Sequence, residues 1–329
     1  MDFEFTAEQE MLRESVRAFL AARAPISSVR AAYDDAVFDP AVWAGLEELG
    51  VLELGMVDAA VVLEELGRAL CPTPYASSVV GARTLVPALA GVGTLALFEE
   101  GTRYSWQSPA TSVDADGLLH GTKVHVADAC AATSFVVVAR DGVYLTSGGA
   151  ATAVPTVDGS RKFGRVVFDG VSASRLPVDS DDMARAIDRI GVAYVVDGVG
   201  AAQRALELAV EYAKERVQFD KPIGSFQAVQ HLCADMLRTV ELARAAAYYA
   251  CWALDDAPAE EAHRAATLAC AYASTAFPQL GGTAIQVFGG IGFTWEHDIH
   301  LYYKRLLTCA SALGTAGDHL EELASIAIG

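Results

Sequence analysis

The chain has no long uninterrupted apolar run, no paired-cysteine motif and no surplus of positive charge. Each absence removes a class of protein. Hydrophobic residues make up 53% of the 329, yet no stretch approaches the roughly eighteen apolar residues that a membrane-spanning helix needs. The most apolar helical candidate, 190–199, is interrupted by Gly191, Asp197 and Gly198. Such segments read as core or interface helices, and the apolar excess predicts an oligomer with large buried faces. Lys and Arg number 24 against 42 Asp and Glu, a formal net charge of −18. That balance opposes nucleic-acid binding, which depends on neutralising phosphates. It leaves a phosphorylated cofactor open, because a few local cations suffice. The six cysteines, at 71, 130, 233, 251, 270 and 309, show no C-x-x-C pair and no metal-ligand spacing. Buried free thiols and no metal site are expected. The opening Met-Asp-Phe-Glu-Phe lacks a basic segment followed by an apolar one, so a reducing cytoplasm is expected.

What is present falls into three blocks. In 1–104, Thr6-x-x-Gln9 forms a capping box ahead of Met11, Leu12, Val16, Phe19 and Leu20 at helical spacing. Further helices are predicted at 40–50, 57–70 and 76–98, with Cys71-Pro-Thr-Pro74 as a stop between the last two. In 105–178 the pattern changes to short β-branched or aromatic runs: Phe135-Val-Val-Val-Ala139, Gly142-Val-Tyr-Leu145 and Arg165-Val-Val-Phe168. Asp141-Gly142 is a hairpin turn signal, and this block predicts a small β domain. In 179–329 helices return, predicted at 184–216, 225–255, 258–288 and 296–327. Leu206, Val210 and Ala213 share one helix face, as do Leu232, Met236 and Val240, so an antiparallel bundle is expected. The predicted class is α+β, mainly α.

Two segments of the last block carry chemistry. The first is Arg216-Val-Gln-Phe-Asp-Lys-Pro-Ile-Gly-Ser-Phe-Gln227, at the end of a long helix. Arg216 can fork onto a pyrophosphate, and Phe219 offers a ring face to an adenine or ribose. Gln227 opens the next helix, whose free N–H groups favour anions. The bland alternative is a salt-bridged surface arginine beside a core phenylalanine. The second segment is Gln286-Val-Phe-Gly289-Gly290-Ile-Gly292-Phe-Thr-Trp-Glu-His297. Its glycines permit close backbone approach to a ligand, or simply end a helix. Glu296 and His297 are expected to cap the helix that follows. Together the segments offer groups suited to an adenosine diphosphate.

These motifs, with Met1-Asp-Phe-Glu-Phe-Thr6, Val62-Leu-Glu-Glu-Leu-Gly-Arg-Ala-Leu70 and His300-Leu-Tyr-Tyr-Lys-Arg305, resemble the acyl-CoA dehydrogenase family over nearly the whole chain. The run Gly289-Gly-Ile-Gly-Phe-Thr-Trp-Glu-His-Asp298 is similar to actinobacterial members of steroid degradation. The resemblance implies an N-terminal helical domain (1–104), a small central β domain (105–178) and a C-terminal four-helix bundle (179–329). It implies FAD, with Arg216, Phe219, Gln227, Gln286, Gly289 and Gly290 matching positions that hold the adenosine and pyrophosphate of a neighbouring subunit's cofactor. The implied reaction is α,β-dehydrogenation of an acyl-CoA thioester, with electrons passed to an accepting flavoprotein.

The chain departs from the family where the flavin ring and the base would be. The flavin-contacting loop that opens the β domain is replaced by Tyr104-Ser-Trp-Gln-Ser-Pro109, and the later aromatic-plus-hydroxyl contact by Val124-His-Val-Ala-Asp128. Leu313 stands before Gly314-Thr315, where many members carry the catalytic glutamate. Asp197, an acid inside an apolar helical stretch, is the candidate base; the alternative is an acid hydrogen-bonded at a contact. Arg189 is a candidate for pairing with the substrate or CoA. The selective loss matches the small subunit of actinobacterial α2β2 enzymes, in which a larger partner supplies the ring pocket and base. A self-sufficient homotetramer using Asp197, and a non-catalytic structural partner, are the alternatives.

Overall fold

The computed structural model describes residues 5–102 and 104–328. Residues 1–4 of the opening motif lie outside the described residues. In chain order the elements are α1 (Ala7–Arg23), α2 (Ile26–Ala31), α3 (Pro40–Glu48), α4 (Met56–Arg68), a π-helical turn (Tyr75–Ala82) and the short α5 (Arg83–Leu85). Eight strands follow: β1 (Gly93–Ala96), β2 (Ser112–Val113), β3 (Leu118–Ala127), β4 (Ser134–Ala139), β5 (Gly142–Thr146), β6 (Ala150–Val154), β7 (Phe163–Ser172) and β8 (Ser174–Arg175). Then come α6 (Ser180–Glu215), the hairpin β9 (Val217–Gln218) and β10 (Lys221–Pro222), α7 (Gln227–Asp256), α8 (Ala259–Phe288), α9 (Ile299–Ser311) and α10 (Ala316–Ile328). No described helix is long and apolar enough to cross a membrane.

Two compact units divide this chain, one of residues 1–30, 54–71 and 191–329, the other of 31–53 and 72–190. In the first, α1 starts at the predicted capping box, with the Gln9 N–H donating to Thr6 Oγ1 at 3.2 Å and the Thr6 N–H to Gln9 Oε1 at 3.1 Å. Helix α4 crosses α6 at backbone distance. A Cβ added to Gly67 would sit 1.9 Å from the Asp197 carbonyl oxygen, and one added to Gly200 would sit 1.9 Å from that of Glu64. Only glycine fits either position. Around the crossing, Arg68 forks onto Glu207 at 2.8 and 2.5 Å, and Arg17 forks onto Glu65 at 2.8 and 2.6 Å. Helix α9 closes the end of α4, where the Tyr302 hydroxyl donates to the Arg68 carbonyl and Arg305 Nη2 donates to that of Leu70.

In the second unit two four-stranded sheets, ordered β1-β4-β5-β8 and β2-β3-β7-β6, share one core. Alternation along β7 turns Val166 and Phe168 inward and Arg165 and Asp169 outward. Phe168 meets Phe135 of β4 edge to face at 5.8 Å. Each such buried side chain stabilises the fold by about 1.5–3 kcal/mol. The hairpin expected at Asp141-Gly142 forms one residue earlier: Arg140 and Asp141 make the turn between β4 and β5, and Gly142 is already in β5 opposite Ala139. The helix expected over 76–98 is a correction: helical turns end at Leu85, and 93–96 is a strand parallel to β4. Pro87 and Gly91, the latter at φ 69°, stop the helix, and the pairing that makes β1 a strand comes from residues 134–137.

Candidate functional site

Helix α6 ends where the Arg216 N–H donates to the Tyr212 carbonyl at 2.8 Å. The chain then turns back in a minimal hairpin, Gln218 opposite Lys221, whose two turn residues are Phe219 (φ 53°) and Asp220 (φ 60°). Two positive φ angles suit the turn type that matches strand twist in two-residue hairpins. Asp tolerates the left-handed region; a phenylalanine there is uncommon and carries a steric cost. The Ile223 N–H donates to the Arg216 carbonyl at 2.8 Å and closes the loop. Phe219 is left 86% exposed, touching Phe226 edge to face at 6.1 Å, while Lys221 Nζ lies 4.3 Å from the Phe226 ring centre. Arg216 is exposed, and its guanidinium makes no ion pair with a described residue.

Gln227 is the first residue of α7, as the sequence predicts, and no side chain caps that helix N-terminus. Gln286 is exposed in the last turn of α8. Gly289 ends that helix at φ 64°, a conformation that favours glycine. A Cβ on Gly289 or Gly290 would meet nothing within 4 Å, so neither glycine is there to relieve internal crowding. The two segments share one end of the unit because the Tyr212 ring stacks on Phe288 at 4.5 Å and 28°. Phe288 in turn meets His297 at 4.3 Å, and His297 Nδ1 accepts the Ile299 N–H at the start of α9, the predicted capping role. An arginine with no ion pair among the described residues, an exposed aromatic face, exposed amides and an accessible glycine backbone are groups that can hold a nucleoside diphosphate. The residues fit the adenosine-diphosphate half of FAD.

Asp197 lies elsewhere, roughly 22 Å along α6 from Tyr212 at 1.5 Å per residue. The expected burial is there, with no exposure at all. Both carboxylate oxygens face Arg305, also fully buried, whose Nη1 lies 3.0 and 3.1 Å away, and the Cys309 thiol lies 3.4 Å from Oδ1. This is a closed ion pair with the α4 terminus as its third partner. Arg189 stands near the start of α6, half-buried. Leu313 follows α9 and offers no titratable group.

The segment 104–109 forms no helix or strand and is tied at its base by Glu99. That carboxylate accepts from the Ala110 N–H at 2.6 Å, the Thr111 N–H at 3.0 Å, the Thr111 hydroxyl at 2.6 Å and Lys123 Nζ at 2.8 Å. Burial pushes Glu99 up, but Lys123, Thr111 and the backbone donors together hold it at about 2. Lys123, fully buried, is pushed below its ordinary value by desolvation, against the pull of Glu99. At 124–128, His125 and Asp128 both sit at positive φ, and Asp128 accepts the Ser77 hydroxyl at 2.6 Å. The sequence assigns no role to Tyr212, and Arg305 enters only as the end of the His300–Arg305 motif. Tyr212 could have been found from its place one turn before Arg216, and Arg305 from being the cation that a buried Asp197 demands.

Comparison with known proteins matches 6–99 to the acyl-CoA dehydrogenase N-terminal domain and 185–327 to the acyl-CoA dehydrogenase C-terminal domain. The chain is 35% identical over 340 residues to acyl-CoA dehydrogenase IpdE2 of Mycolicibacterium smegmatis, covering 96% of this chain and 97% of that one. It is 35% identical over 335 residues to the IpdE2 of Mycobacterium tuberculosis, covering 97% and 96%. Among solved structures, a variant of the Tcur3481-Tcur3483 steroid ACAD superposes with TM-score 0.87 at 26% identity, covering 98% of both chains. The ChsE4-ChsE5 complex of M. tuberculosis superposes with TM-score 0.89 at 25% identity, covering 100% and 99%.

Proposed function

Since the chain belongs to the acyl-CoA dehydrogenase family of oxidoreductases, we propose that it is the small subunit of a FAD-dependent α2β2 enzyme. A larger subunit supplies the flavin-ring pocket and the catalytic base. The reaction is α,β-dehydrogenation of a CoA thioester, with electrons leaving to an accepting flavoprotein. One observation carries the assignment: Arg216, without an ion-pair partner among the described residues, and Phe219 at 86% exposure share one end of the unit with a glycine backbone open to ligand, while Leu313 and an already paired Asp197 leave no free acid in the expected places. The names of similar structures, a steroid ACAD and a ChsE4-ChsE5 complex, support a steroid-derived substrate and a two-subunit assembly.

In this assignment Arg216 pairs with the pyrophosphate, Phe219 lies against the adenosine, and Gln227 and Gln286 donate side-chain amides. Gly289 and Gly290 let the backbone approach closely. FAD, when bound, supplies the acceptor for the hydride leaving the β-carbon. This chain's residues fix and desolvate the end of the cofactor remote from that chemistry. Asp197 serves as a structural ion pair, because a general base must reach the proton it removes. Arg189 remains the chain's candidate contact to substrate.

Purification of the chain alone, and co-expression with a larger acyl-CoA dehydrogenase subunit, test this directly. The expected outcome is little flavin alone and two flavins per α2β2 assembly, with Arg216→Ala in the assembly lowering flavin content. Stoichiometric flavin and acyl-CoA turnover by the chain alone would refute the partner assignment. Unchanged flavin in the Arg216→Ala assembly would refute the grip.

A further inference from the structure

We propose that Tyr212, through its stack on Phe288, is a positioning residue that holds the two halves of the adenosine grip in register. The inference rests on the assignment of that grip in the preceding section and adds a residue outside it. The grip comes from two segments far apart in sequence, 216–227 and 286–290, and this aromatic contact joins the end of α6, just ahead of the first, to the second. Tyr212 is one helical turn before Arg216 and bonded to it through its carbonyl, so the ring is fixed to the same end of α6. Phe288 directly precedes Gly289 and is buried, so its ring is fixed to the end of α8. The rings lie nearly parallel, 28° apart at 4.5 Å, a geometry in which sliding of one helix against the other loses contact. His297 packs on Phe288 at 4.3 Å and ties the same point to α9.

The chemistry of the pair argues for positioning over general packing. Tyr212 is only half-buried and its hydroxyl has no hydrogen-bond partner among the described residues, so its polar tip adds nothing to the fold. What remains is a flat ring against a flat ring. A side chain that only filled volume could be aliphatic; one that sets the spacing of two helix ends gains from being planar. Tyr212→Phe should therefore behave like the native chain, whereas Tyr212→Leu and Tyr212→Ala should not.

The test uses the two-subunit complex carrying Tyr212→Ala, Tyr212→Leu or Tyr212→Phe, with Arg216→Ala in parallel. Two readouts are taken: FAD affinity by equilibrium dialysis, and amide exchange at 216–226 and 286–293 in flavin-depleted complex. Tyr212→Ala and Tyr212→Leu should weaken FAD up to about tenfold and speed exchange at both segments together, the middle of α7 being unchanged. Tyr212→Phe should restore both. If Arg216→Ala weakens FAD while Tyr212→Ala and Tyr212→Leu do not, the positioning role is wrong and the grip stands. If Arg216→Ala has no effect, the grip itself is wrong. Should the alanine variant fail to fold, the leucine variant decides. Failure of Tyr212→Phe to restore either readout overturns the proposal, because the hydroxyl would then carry the effect.

Discussion

A phenylalanine at φ 53° brings its Cβ against the following carbonyl, at a cost of roughly 1–2 kcal/mol that glycine avoids. At 86% exposure Phe219 regains little of this by burial. Stability and ligand binding should therefore part company here. Phe219→Gly is expected to raise the urea midpoint, by up to about 1 kcal/mol in stability, while lowering flavin content of the assembled enzyme. A fall in both would show that the ring is needed for folding. Asp197 poses the opposite case. Removing one member of a fully buried ion pair strands the other charge, so Asp197→Ala should cost about 3–5 kcal/mol in urea unfolding. The double variant Asp197→Leu/Arg305→Met should cost much less. Equal losses would mean that Arg305 finds another partner.

At the scale of elements, the α4–α6 crossing and the Glu99 anchor make separate predictions. Gly67→Ala places a methyl group on the Asp197 backbone, which cannot swing aside as a side chain can. A loss of about 3 kcal/mol is expected by urea unfolding, against less than 1 for Gly282→Ala, where the added Cβ meets nothing within 4 Å. Glu99 sits at about 2 in the folded chain against 4.5 unfolded, so its contribution is complete above pH 4.5 and is lost as pH falls towards 2. Circular dichroism against pH should show the native chain losing stability across that window, and Glu99→Gln should flatten the slope there while lowering stability at pH 7. Most long helices were legible in the sequence because each carries an apolar stripe and a local start or stop, as at Thr6, Pro74 and Gly289; the single helix expected over 296–327 is instead α9 and α10, parted at 312–315 around Gly314. Strand β1 was not, since Gly93-Thr-Leu-Ala96 has no alternation and its partner is β4. The residues proposed for the adenosine end stand together as two linear patterns. Their meeting point at Tyr212 and Phe288, and the Arg305 partner of Asp197, were not legible, because each joins residues from different helices.

At the scale of the whole molecule, the proposed grip is built mostly from exposed residues at one end of one unit, and no described residue covers Phe219 or pairs with Arg216. A ligand held there is held from one side. If the other side belongs to a second chain, cofactor and subunit contact each strengthen the other by the same factor, as thermodynamic reciprocity requires. Retention of flavin then depends on protein concentration. Dilution of the complex should release FAD and separate the subunits along one common curve, and added FAD should shift that curve to lower protein. Under the proposed assignment, the open face of the Phe219 hairpin would make enzyme colour a measure of how many subunits have found each other.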